Sequence, residues 1–139
     1  MVNNGDYYNL QNQKQNTESE VYGMERSNHE LREKIERLQK VKSAIEGERD
    51  DFDSIKRIVG TMTNQNYNWK GKTFDDYRTL TDSLNIGNTN YYNSLENILN
   101  RLNEEIVRLE NEIYSNEGSI NSLRSLLDRL VTEIERLLT

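Results

Sequence analysis

From Leu95 to Leu137 the chain keeps one apolar spacing without a slip. Leu95, Leu99, Leu102, Ile106, Leu109, Ile113, Asn116, Ile120, Leu123, Leu127, Leu130, Ile134 and Leu137 follow one another at alternating steps of four and three. An α-helix turns every 3.6 residues, so this rhythm holds all of these side chains on one narrow seam. A seam that regular winds left-handed around another helix. It excludes a strand, whose side chains alternate with a period of two. Asn116 is the one polar member, and a buried asparagine weakens a seam while fixing its register.

The rest of the chain suits the same architecture. Its 139 residues are 33% hydrophobic and 30% charged, with a mean hydropathy of -0.98. That is poor material for a rounded core and good material for an elongated helical domain with thin apolar seams. Proline is absent, so no ring clash breaks a helix. The net charge of -6 argues against nucleic acid as a partner. Arg32, Lys34, Arg37, Lys40 and Lys42 interleave with acids and read as a solvated helix face. Cysteine is absent, which removes disulfide and thiolate chemistry and leaves the redox compartment undecided. No apolar run reaches signal-peptide or membrane-span length, so no membrane insertion is expected. Export, if it occurs, uses a route that does not read a cleavable apolar signal.

Residues 1–16 are rich in Asn, Gln and Tyr and read as a flexible N-terminal arm, although a helix starting as early as Asp6 also fits. Residues 17–139 form the helical domain. Thr17 and Glu20 fit a capping box. Leu31, Ile35, Leu38, Val41, Ile45, Phe52, Ile55, Val59 and Met62 then recur at helical spacings, which predicts a helix over 17–60 closed by Gly60. Gly47 weakens it locally by about 1 kcal/mol relative to alanine. A loop over 61–72 follows. A second helix over 73–138 opens with Thr73 as cap, continues its stripe through Phe74, Tyr77, Leu80 and Leu84, and is kinked or broken at 85–90 around Gly87.

The first helix, so bounded, is on the order of 65 Å long at about 1.5 Å per residue. An equal length of the second helix, counted from Thr73, ends near Asn116. Ile120, Leu123, Leu127, Leu130, Ile134 and Leu137 therefore overhang the pair and need another chain. Leu95, Leu99, Leu102, Ile106, Leu109 and Ile113 belong to the same seam, which as a whole is the predicted partner interface.

Nothing in the sequence points to catalysis. His29 is the single histidine, and one imidazole without a second His or Cys makes no metal site. Asp50, Asp51 and Asp53 lack the glycine and closing glutamate of a calcium loop. No glycine-rich phosphate loop occurs. We expect no enzyme, no cofactor and no metal.

The remaining landmark is Trp69-Lys70-Gly71, which carries the single tryptophan. It falls in the loop between the two helices, where the indole can staple two helix ends by burying its ring. Gly71 gives the backbone freedom just before the next cap. Tyr92 and Glu96 add a Tyr-x-x-x-Glu spacing. A helix, a turn bearing Trp-x-Gly and a second helix resemble the WXG (ESAT-six-like) family of type VII secretion substrates. The length and coiled-coil content are closer to the helical accessory proteins of LXG toxins, a WXG-like group. Typical family members are shorter, and their export tyrosine follows the second helix, whereas Tyr92 lies within it.

The resemblance implies an all-α fold, an antiparallel helical hairpin with a WXG turn and an extended coiled-coil C-terminal helix. It implies a targeting factor or chaperone that binds the helical LXG domain of a toxin, with a second small helical accessory protein as a further partner. It also implies recognition by the type VII secretion machinery through Trp69, Gly71, Tyr92 and Glu96. The protein would be cytoplasmic before export and leave with its toxin. Two other readings remain open: a self-associating structural coiled coil, and a secreted WXG-type homodimeric effector.

Overall fold

The computed structural model of the chain describes residues 4–64 and 72–139. The described residues form two helices, α1 (Asn4–Asn64) and α2 (Lys72–Leu138), and only Thr139 stands outside them. Trp69 and Gly71 lie outside the described residues, as do the side chains of Val59, Met62, Thr73 and Phe74. The chain divides into two compact units. The first contains residues 1–36 and 107–139, the second residues 37–106. Both α1 and α2 contribute to each.

In the first unit α1 and α2 lie antiparallel. Glu25 meets Arg124 and Arg32 meets Glu117, so rising numbers on one helix face falling numbers on the other. Val21, Leu31, Leu109, Ile113, Ile120, Leu130 and Ile134 are buried. The α1 seam begins well before Leu31. Leu10, Lys14, Thr17, Val21, Met24 and Asn28 precede it at steps of four and three, and all are buried or half-buried. Asp6 stands in the first turn of α1, where its charge suits the positive end of the helix dipole.

Three expectations change here. Residues 4–16 are helix, not a loose arm. Thr17 is no cap: it is a buried mid-helix residue whose hydroxyl donates to the Gln13 carbonyl at 2.7 Å. That bond satisfies the hydroxyl within its own helix, so the threonine can occupy a seam position. Finally, Ile120 to Leu137 do not overhang. The predicted overhang rested on a helix starting at residue 17. With α1 starting at Asn4, Asp6, Asn9, Leu10 and Gln13 face Glu133, Arg136 and Leu137 across a shared cleft.

In the second unit Leu95, Leu99 and Ile106 are buried, with Thr81 and Asn88. The α1 seam is Leu38, Lys42, Ile45, Arg49, Phe52 and Lys56, each half-buried. The apolar stripe drawn from sequence is off by one residue at two places. Val41 and Ile55 are 48% and 51% exposed, because Lys42 and Lys56 take the seam with their methylene stems. On α2, Leu80 and Leu84 are likewise 69% and 48% exposed, and Thr81 is buried in their stead. The Thr81 hydroxyl donates to the Tyr77 carbonyl at 2.8 Å. Helix α2 runs without a break through 85–90. Gly60 does not close α1, which continues to Asn64.

Candidate interaction surface

Asn116 finds its partner inside the first unit. Its amide donates to Asn28 Oδ1 at 2.8 Å, and Asn28 Nδ2 donates to the Ile113 carbonyl at 3.4 Å. Asn28 is 2% exposed, so this is a polar layer enclosed by apolar ones. The register role expected of Asn116 has a geometric basis here: only one alignment of the helices brings the two amides together. Sequence reasoning missed Asn28 because it counted apolar residues alone. Stepping back from Leu31 by three would have found it.

Flanking the seam, the residue after each of Met24 and Leu31 on α1 is Glu25 and Arg32. The residue after each of Asn116 and Leu123 on α2 is Glu117 and Arg124. Arg32 donates to Glu117 at 2.8 Å, and Arg124 pairs with Glu25. Together with Asn28, Ile120 and Asn121 these four line one cleft. It is an ionic edge that closes the seam from one side. All four are exposed, so each pair adds well under about 1 kcal/mol and serves alignment more than stability.

The second unit has an edge of the opposite character. Here the relevant positions immediately precede the seam. Before Lys42, Arg49 and Lys56 stand Val41, Glu48 and Ile55. Before Asn85, Tyr92 and Leu99 stand Leu84, Tyr91 and Ile98. The Tyr91 hydroxyl donates to Glu48 Oε2 at 3.2 Å, and its ring packs on Phe52 with centroids 4.5 Å apart. Glu48 in turn holds the Tyr91 phenol above its ordinary pKa of 10.0, chiefly by the repulsion its charge would exert on a phenolate. One heptad to either side, the same register sets Val41 with Ile98 and Ile55 with Leu84. All four of these apolar side chains are exposed. An exposed single leucine means little, but a run contributed by both helices marks an interaction face.

The residues singled out from sequence fall as follows. The seam from Leu95 to Leu137 is buried or half-buried within the chain and builds the intramolecular core of the units. Tyr92 and Glu96 both have partners in the second unit. Arg49 donates to Glu96 at 3.0 Å, and this bond leads the causes that raise the guanidinium pKa. The Lys56 ammonium stands 5.9 Å from the centre of the Tyr92 ring. His29 is exposed beside Glu33 at 3.1 Å. Among the described residues no group of three or more His, Cys, Asp or Glu is placed to hold a metal. No helix there is long and apolar enough to cross a membrane.

These features define an all-helical protein of coiled-coil type, with an ionic edge on one unit and an apolar edge on the other. The chain belongs to the YwqH-like family, whose sequence model matches residues 12–132. No curated protein and no solved structure matches it. The match starts ahead of residue 17, in keeping with a helix that includes the segment first read as an arm.

Proposed function

We propose that this protein is a non-catalytic targeting factor that binds the helical LXG domain of a toxin and promotes its type VII secretion. The observation that carries the reading is the exposure of Val41, Ile55, Leu84 and Ile98 on the edge of the second unit, one heptad to either side of the Glu48–Tyr91 bond. Membership of a family of helical, LXG-associated proteins supports it. A toxin helix laid along this edge adds a helix to the antiparallel pair and removes apolar surface from water, worth about 25 cal/mol per Å² before the cost of association. A second small helical accessory protein would complete the bundle on the toxin's far side.

In this reading the seam from Leu95 to Leu137 keeps the pair rigid instead of meeting the toxin itself. Trp69 and Gly71 present the export signal between the helices. Tyr92 and Glu96 complete it only if their contacts with Lys56 and Arg49 open. The complex assembles in the cytoplasm and leaves with the toxin.

The test is co-expression with an LXG domain, followed by solution mass and a secretion assay. A stable one-to-one complex and toxin export that depends on this chain are the expected results. A homo-oligomer that ignores the LXG domain would refute the proposal. Trp69→Ala should leave LXG binding intact and abolish export. Export that survives it would reduce the tryptophan to a structural staple.

A further inference from the structure

The apolar edge of the second unit is not uniformly apolar. Its centre is Glu48, held by the Tyr91 hydroxyl at 3.2 Å, with an apolar pair one heptad to either side. Asp51 lies on the same face of α1, three residues beyond Glu48, and is exposed. On α2, Gly87 sits between Leu84 and Tyr91 at helical spacing. Beyond its own stretch of helix, nothing among the described residues lies within 4 Å of the place a Cβ would take there. A glycine in mid-helix is destabilising relative to alanine, and packing among the described residues does not require it. It leaves the backbone open to close approach from outside.

We infer that this edge is a socket for one amphipathic helix of a different protein, and that Glu48 and Asp51 select a helix with a lysine or arginine in mid-seam. The inference deepens the proposed docking on the same edge by specifying the chemistry of the helix. Apolar pairs above and below the centre take the leucine or isoleucine positions of the incoming seam. The acidic centre takes its basic residue, and Tyr91 fixes the carboxylate that receives it. A second copy of this chain is the wrong occupant. Two-fold docking through one patch sets that patch against itself. It would bring Glu48 and Asp51 of one copy against Glu48 and Asp51 of the other, in a setting being stripped of water, where like charges repel most strongly.

Two synthetic helical peptides test this, identical in their leucine and isoleucine seam and differing only in a central Lys or Glu. Titrated against the full chain, the Lys peptide should bind about tenfold more tightly at low salt, with the gap narrowing as salt is added. The Glu48→Lys/Asp51→Lys variant should reverse the order. Leu84→Asp and Ile98→Asp alter exposed residues, so the fold should survive, as circular dichroism would check, and both peptides should be lost. Equal binding of the two peptides, or binding of neither, overturns the inference. So does retention of either by the aspartate variants, or a homodimer of the native chain that Leu84→Asp dissolves. If the Lys peptide is preferred but no LXG domain binds, the targeting role fails and the socket stands. If the LXG domain binds regardless of Leu84→Asp and Glu48→Lys, the socket fails and the targeting role stands.

Discussion

The two units place asparagine on their seams with opposite results. In the first, Asn28 and Asn116 bond each other at 2.8 Å, and Asn28 also reaches the Ile113 carbonyl. In the second, Asn88 is 7% exposed and its Nδ2 has no hydrogen-bond partner among the described residues. The surfaces differ in the same sense. The first unit buries Thr17 and Asn28 with their polar groups bonded and puts charge on its edge. The second buries Thr81 and Asn88 and exposes Val41, Ile55, Leu80 and Leu84. A seam that buries an unpartnered amide while apolar side chains stand at its edge is only partly stabilised by its own chain. The second unit is therefore where an added helix changes most, and the first is where the pairing of α1 with α2 is specified.

The largest test of this contrast compares truncations. Leu109 is 3% exposed, so Leu109→Ala removes a filled core position and should cost about 2–3 kcal/mol, the low end for such changes because a two-helix seam collapses readily. Leu84→Ala on the second unit should stay within about 0.5 kcal/mol. Urea unfolding of both variants measures the difference. Equal losses would mean that Leu84 is already covered in solution, and the apolar edge would not be free.

Next in size is the asparagine pair. Asn28→Leu removes the partner of the half-buried Asn116 amide and should cost about 1 kcal/mol. The double change Asn28→Leu/Asn116→Leu should recover that loss and exceed the native stability. It should also form mixed oligomers by light scattering, because an all-apolar seam accepts several registers. A double variant that stays in one state would show that the Arg32–Glu117 and Arg124–Glu25 pairs set the register on their own.

Asn88 should behave in the opposite way. Asn88→Leu removes a buried donor that lacks an acceptor and should raise stability by about 1 kcal/mol. If it destabilises the chain instead, the amide has a partner in solution, and the contrast between the units dissolves at that position.

The α2 seam from Leu95 onward could be read from the sequence, and much of the rest could not, for one physical reason. The Leu95–Leu137 repeat needs only helical periodicity, and its seam is buried or half-buried as the spacing requires. The reading failed where polar side chains fill a seam. Thr17 and Thr81 hide their hydroxyls in their own helices, Lys42 and Lys56 lay down aliphatic stems, and Asn28 depends on a residue on the other helix. A reader following apolar letters steps onto Val41, Ile55, Leu80 and Leu84, each one residue away. Those misplaced residues then supply the candidate surface. The edge becomes visible only once Tyr91 and Glu48 fix how the helices align.

The smallest expected effect probes that alignment through pH. The Tyr91 phenol is held above 10.0 by the charge of Glu48, with burial and the hydrogen bond to Glu48 adding to it. Its folded pKa therefore lies above its unfolded one. The stability this linkage supplies is fully present below the unfolded value and is lost as pH rises through the folded value. Tyr91→Phe has no proton to lose. Melting temperatures of the two proteins should hold a constant difference up to about pH 9, and the difference should then change as the native chain loses stability that Tyr91→Phe does not have to lose. Glu48→Gln should remove the largest cause of the shift, so the folded and unfolded values draw together and the Tyr91-linked pH dependence shrinks. Parallel curves for native and Tyr91→Phe throughout would show that the phenol and carboxylate do not meet in solution. The register that sets Val41 with Ile98 and Ile55 with Leu84 would then lose its anchor.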